Sequence, residues 1–480
     1  MTKIKKLLLN FIILASLGVS PVKAFSPQEI NKFGIHLGDT SQVSMAAELV
    51  NSQGGDWGWV TIVIRDDQLN YQQWQTFFNQ CRRKHLVPLV RLATHFNSQK
   101  RAWEKPSLFT LKKQATFLSQ LNWPTKTKYI IVFNEPNHGK EWGGEVNPQE
   151  YGEIFLAASK IFKQKDKNFF LLFAGVDQVA PHHPPLYFSP QKFYRQALAN
   201  PEVLAAIEGL ASHSYPNHGF VGKPSDKGWG TIVGYREEIK LLKRLGLKKE
   251  IPVFITETGW PHREGEKEQR SFYPAQRLNN FFEQAFSIWN TDKKIYSFTP
   301  FILYFPHGKF SNFSWINAEK TPYSFYKITQ QIPKNSWWPE QENRGEIEKI
   351  NLPLFIVPNS PYTAILEIKN TGQQIWGEKG EFCWLPEETK EVKITPLCLF
   401  SSNKVEPGDK GKFRFSFKIL TPSQQTVTLE WKNLEAITLK PIITSSDFVL
   451  YRPKTNFFQR LKKFFVSLWK SFDFGKDITK

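Results

Sequence analysis

The feature that most constrains this chain is an alternation. Between residues 25 and 332, eight short β-rich runs are separated by stretches with helical periodicity. The runs fall at 33–37, 59–64, 87–92, 129–133, 169–173, 207–212, 253–256 and 297–305, with amphipathic segments such as 149–163 and 235–245 between them. Most runs are continuously apolar, as expected of parallel strands covered on both faces. Eight such units in roughly 300 residues predict an α/β fold, a (β/α)8 barrel over 25–335. A doubly wound sheet fits less well, and no Gly-rich dinucleotide fingerprint follows an early strand. With 480 residues, the chain is too long for one ordinary core, so a second domain is expected.

That domain begins after Asn335-Ser336-Trp337-Trp338-Pro339, where the charged stretch in 336–349 reads as a linker. Over 350–445 the pattern changes to runs of alternating apolar and polar residues at 364–368, 412–419 and 426–431. Turn signals (Asn370-Thr371-Gly372, Pro407-Gly408-Asp409) divide them, which predicts a small all-β sandwich. Ile368-Lys369-Asn370-Thr371-Gly372 with Trp376, and Val405-Glu406-Pro407-Gly408, resemble immunoglobulin-like accessory modules. Cys383 and Cys398 lie in this module and could pair if their Cβ atoms face each other, whereas Cys81 reads as a buried small hydrophobe.

The two ends read differently. Lys3, Lys5 and Lys6, an apolar stretch at 7–19 and the small-x-small site Val22-Lys23-Ala24 predict a cleaved signal peptide over 1–24. The expected location is therefore extracellular or at the cell surface. The tail 446–480 is basic and amphipathic: within 456–474, Phe457, Phe458, Leu461, Phe464, Phe465, Leu468, Trp469 and Phe472 share a helical face, with lysines opposite. That stripe suits either an anionic membrane or envelope surface or docking on a domain, and periodicity alone does not choose. The net charge is +19, but Lys and Arg are scattered and no nucleic-acid motif occurs, so a nucleic-acid partner is not expected.

Chemistry concentrates at two strand ends. Val132-Phe133-Asn134-Glu135-Pro136-Asn137 closes the fourth run, and Phe254-Ile255-Thr256-Glu257-Thr258-Gly259-Trp260-Pro261 closes the seventh. A carboxylate directly after an apolar strand costs stability unless something there needs it. In a (β/α)8 barrel both ends open on the C-terminal face, where catalytic groups gather. Strands four and seven lie across the mouth, so two carboxyls can face one sugar ring. His182 and His183 are enclosed by Pro181, Pro184 and Pro185 without a suitably spaced third ligand, so neither a metal site nor a cofactor is expected.

These motifs resemble the clan A glycoside hydrolases, especially the cellulase-like family five and the related family thirty-nine, over the whole barrel. The resemblance implies a retaining hydrolase of O-glycosidic bonds, β-linked in a poly- or oligosaccharide, with Glu135 as acid/base and Glu257 as nucleophile. It implies that Asn134 contacts the 2-hydroxyl and that, in Ala211-Ser212-His213-Ser214-Tyr215-Pro216, His213 contacts the site and Tyr215 orients Glu257. Arg91 would keep Glu257 ionised, while His36 would touch substrate. Where the clan commonly has Trp after strand eight, this chain reads Leu303-Tyr304-Phe305-Pro306, so Tyr304, Phe305 or Trp315 would take that place. Trp142, Trp229 and Trp260 are candidate platforms for stacking sugar faces. The competing reading is a barrel that binds carbohydrate without turning it over.

Overall fold

The computed structural model describes residues 30–387, 389–400, 403–421, 425–443 and 449–453. The expected signal peptide and the amphipathic segment 456–474 lie outside them. Eight parallel strands form the first domain: β1 Gly34–His36, β2 Gly58–Arg65, β3 Leu86–Ala93, β4 Lys128–Ile131, β5 Phe169–Phe173, β6 Gly209–His213, β7 Val253–Glu257 and β8 Ile295–Phe298. They pair in chain order. A parallel bridge between Phe33 and Phe298 closes the ring, with Phe298 N–H donating to Lys32 O and His36 N–H to Pro300 O, each at 3.0 Å.

Strand periodicity decides which side chains enter the barrel. Along β2, Val60, Ile62 and Ile64 point outward into the layer shared with the helices, while Trp59 packs inside. Along β3, Val87 and Leu89 are interior, so Arg91, two residues further, arrives inside at the mouth. The helices after α1 (Val43–Val50) start where local chemistry permits. Asn70 caps α2 (Tyr71–Arg83), Ser107 caps α3 (Leu108–Gln120), and Asn147 with Pro148 opens α4 (Pro148–Lys165).

The eighth run is shorter than its apolar stretch suggests. The strand stops at Phe298, and Pro300, without an N–H, cannot continue a ladder. Residues 299–305 instead cross the top of the barrel, tied by Phe301 N–H to Thr258 O and Leu303 N–H to His36 O.

Among the described residues, the second domain forms two antiparallel sheets sharing one apolar core. The first holds β9 Gly345–Asn351, β10 Tyr362–Asn370, β11 Cys383–Trp384, β12 Val392–Ile394, β13 Leu397–Leu399 and β14 Lys410–Ile419; the second holds β15 Val427–Leu429, β16 Ile437–Ile443 and β17 Val449–Pro453. Two expected boundaries move. Residues 345–349, read as linker, belong to β9, because they pair with β10. Residues 449–453, read as tail, form β17 on β16. Cys383 and Cys398 are opposed on β11 and β13 and form a disulfide.

The stretch between the domains is packed, not free. Trp337 stacks on Trp59 at 5.9 Å beneath the barrel, its indole N–H donating to Trp57 O at 2.7 Å. The sandwich meets the loops at the N-terminal ends of the strands. Asn122 donates to Gly372 O, Gln373 to Thr125 O, and Arg83 pairs with Glu406. At the centre of this contact His85 stacks flat on Trp57 and sits between Asp56 at 2.6 Å and Glu378 at 3.4 Å.

Candidate functional site

At the C-terminal mouth of the barrel lies a cleft of about 440 Å³. Glu257, last residue of β7, lines it, and Glu135 enters from the loop after β4. That loop is held in an unusual backbone path. Phe133 and Glu135 both have positive φ, 70° and 31°, which L-residues with bulky side chains rarely adopt. Strain of this kind persists only where surrounding contacts impose it. Here Glu135 N–H donates to Gly175 O at 3.0 Å. A Cβ on Gly175 would lie 2.2 Å from the His213 ring, so the glycine makes room for that imidazole.

His213, at the end of β6, bridges the two acids. Its Nδ1 is 2.8 Å from Glu135 Oε1 and 3.9 Å from Glu257 Oε2. One carboxylate oxygen of each Glu and a ring nitrogen of His213 all lie within 4.8 Å of one another. Arg91 pairs with Glu257 Oε1 and with Asn134 Oδ1, and Tyr215 donates its hydroxyl to Glu257 Oε2 at 3.2 Å. Burial alone would push the Glu257 carboxyl up; His213, Arg91, His36 and the Tyr215 hydroxyl outweigh it and hold it below the usual range. Burial likewise works against charge on His213, yet Glu257 and Glu135 raise its pKa. His36 differs. Burial dominates and takes it down to about 4, and with Nδ1 bonded to Leu37 O at 3.1 Å, Nε2 stands 3.9 Å from Glu257.

Glu135, His213 and Glu257 are also the cluster of donors in the cleft that could surround a metal ion. The Arg91 guanidinium already supplies positive charge against Glu257, and His213 is engaged by Glu135.

The residues expected at the site divide into two groups. Glu135, Glu257, Asn134, His213, Tyr215, Arg91 and His36 all line the one cleft. The expected stacking tryptophans do not. Trp142 is fully buried, edge-on to Tyr151, with its indole N–H on Glu150; Trp260 packs on Phe281 and Phe282; and Trp315 lies among Phe282 and Phe325. Each fills the layer between strands and helices, where a large ring displaces more water than at a rim. Tyr304 and Trp229 are half-buried against that same core, outside the cleft lining, and it is Phe305 of the β8 loop that reaches it.

Several lining groups carry no strong sequence signal. Trp103 enters from a two-residue ribbon, Phe96–Asn97 against Ala102–Trp103, inserted between β3 and α3. Glu141 accepts from Asn134 Nδ2 at 3.2 Å; burial pushes its carboxyl up and Glu135 adds to the shift. His138 Nε2 is 2.8 Å from Asp177 Oδ2. The spacing of His138 and Glu141, three and six residues after Glu135, was the available hint.

No family model matches the chain, and no curated protein does. Solved structures with a similar course include a family 39 glycoside hydrolase from Bacteroides cellulosilyticus, at 11% identity, TM-score 0.42 and 82% coverage of each chain. A glucosidase from Croceicoccus marinus matches at 8% identity and TM-score 0.46, over 82% of this chain and 97% of that one. A β-glucanase from Saccharophagus degradans in complex with cellotetraose matches at 14% identity and TM-score 0.39, over 63% and 87%. Likeness this distant carries no argument about activity, which rests on the site.

Proposed function

We propose that this chain is a retaining glycoside hydrolase acting on a β-linked poly- or oligosaccharide. The observation that carries the reading is the pair Glu135 and Glu257, with oxygens within 4.8 Å across the barrel mouth. Retaining enzymes separate their carboxyls by about 5–5.5 Å, and inverting ones need about 6.5–9.5 Å to admit water. The surroundings support a division of labour. Glu257, held ionised by Arg91 and Tyr215, attacks the anomeric carbon, while Glu135 gives a proton to the departing oxygen and later takes one from water. His213 touches both acids and holds their spacing. Asn134, fixed between Arg91 and Glu141, offers its amide to the sugar 2-hydroxyl. The Cys383–Cys398 disulfide supports an oxidising destination, in keeping with export.

The test is a panel of aryl β-glycosides together with a 2-deoxy-2-fluoro glycoside followed by intact mass measurement. The expected results are one added sugar mass on the wild type, none on Glu257→Gln, and partial turnover of activated aryl glycosides by Glu135→Gln. A wild type that hydrolyses nothing and gains no mass leaves a barrel that only binds sugar. Wild-type rates in both variants would overturn the residue assignment.

A further inference from the structure

The cleft has two chemically unlike walls. The side built on β3, β4 and β5 carries the hydrogen-bonding groups Thr94, Asn134, His138, Glu141 and Asp177 beside Trp103, Phe133 and Val179. Facing it, the loops after β6 and β8 contribute Phe220, Phe301, Phe305, Phe310 and Phe313. These rings pack edge to face in a continuous row. Phe220 and Phe313 are 5.3 Å apart, Phe313 and Phe301 5.8 Å, Phe301 and Phe310 5.1 Å, and Phe310 and Phe305 5.7 Å. The row meets the site through two of its rings, Phe220 lying 5.1 Å from Tyr215 and Phe301 5.1 Å from His36. At its outer end Phe305 is 36% exposed, and Lys309 Nζ rides 4.5 Å over Phe310.

A phenylalanine wall offers no hydrogen bond. A sugar hydroxyl pressed against it gives up its water without replacement, whereas a hydrocarbon group gains from leaving water. One or two rings suffice to stack a pyranose; five in a row, continuous from the reacting carboxylates to the rim, are more than one sugar face can use. We propose that the Phe220–Phe301–Phe305–Phe310–Phe313 wall binds a hydrocarbon portion of the substrate, an alkyl, acyl or aryl group attached to the sugar. The substrate class is thus a glycoconjugate with an apolar part. This rests on the hydrolase reading for the placement of its sugar half. The polar wall holds the ring to be cleaved, and the attached group lies along the phenylalanines toward the rim.

The probes are methyl, butyl, hexyl and octyl 1-thio-β-D-glucosides, whose sulfur linkage resists hydrolysis, titrated calorimetrically below their micellar concentrations. For the wild type, Kd is expected to fall about two- to fourfold per added methylene. In Phe305→Ser/Phe310→Ser the dependence on chain length flattens, and in Phe305→Leu/Phe310→Leu it returns; both sites are at the rim, and circular dichroism checks that each variant is folded. A wild-type Kd indifferent to chain length, no binding by any of the four, or a slope untouched by the serine pair would each overturn the proposal. Those outcomes leave the hydrolase reading standing if aryl glycosides are cleaved. An inert protein that still shows the slope would instead overturn the hydrolase reading and keep the apolar wall.

Discussion

Tyr215→Phe tests how Glu257, the proposed nucleophile, is held. The ring is 8% exposed and packed against Phe220 and Phe313 at 5.1 and 6.0 Å, so phenylalanine should occupy the same place and only the hydroxyl is lost. That hydroxyl donates to Glu257 Oε2 at 3.2 Å, while Arg91 keeps its hold on Oε1. A hydrogen bond to a charged group is worth about 1.5–3 kcal/mol, and this one is longer than most O–H···O bonds, so the low figure of about 1.5 kcal/mol applies. Since about 1.4 kcal/mol corresponds to one pKa unit, the Glu257 carboxyl should rise by about one unit. Removing a donor to the ionised form favours protonation, so the acid limb of kcat/KM moves to higher pH. On the plateau, loss of aim should cost about tenfold or less. The assay is the pH profile of kcat/KM on an aryl β-glycoside for wild type and variant. An acid limb that stays in place, with an unchanged plateau, would refute the reasoning. A fall in rate with no movement of the limb would assign Tyr215 to the substrate instead.

Two further outcomes concern the second domain. At the barrel–sandwich contact, burial alone would lower the His85 pKa, but hydrogen bonds with Asp56 and Glu378 carry it to about 9. A folded pKa raised above the unfolded value of about 6.5 means this stabilisation is complete below that pH and is lost as pH rises through 9. Denaturant midpoints measured on either side of that window should fall toward the alkaline side in the wild type and much less in His85→Gln; equal slopes would remove His85 from the contact. Cys398→Ser opens a disulfide spanning 15 residues, which by loop entropy costs the sandwich about 3 kcal/mol. Its unfolding, followed by tryptophan fluorescence with and without reductant, should move in the wild type only, and an equally sensitive variant would discount the bond.

How much the sequence disclosed depended on how local each signal was. The strands of the barrel could be read because a strand covered on both faces must be apolar throughout, as at 169–173, where expectation and structure coincide. Glu135 and Glu257 could be found because a charge at the end of such a run is conspicuous. The fate of the tryptophans could not be read. Trp142 and Trp103 each stand between a Glu and a small residue, yet one plugs the helix layer and the other reaches the cleft, a difference decided by which loop folds over which. The phenylalanine wall was equally hidden, because Phe220 and Phe301 to Phe313 come from two loops that only the closed ring brings together. The eighth strand was overrun because apolarity persists through 299–305 to roof the barrel, with no strand pairing behind it.

The attachment of the sandwich to the underside of the barrel has a directional consequence. Its contacts through Asn122, Thr125 and Arg83 lie at the end of the strands opposite Glu135 and Glu257. The all-β module is therefore turned away from whatever enters the mouth, and a glycan strand would have to wrap around the barrel to engage both. If the module grips a surface, it does so with the open cleft facing outward, like a lamp on a wall bracket.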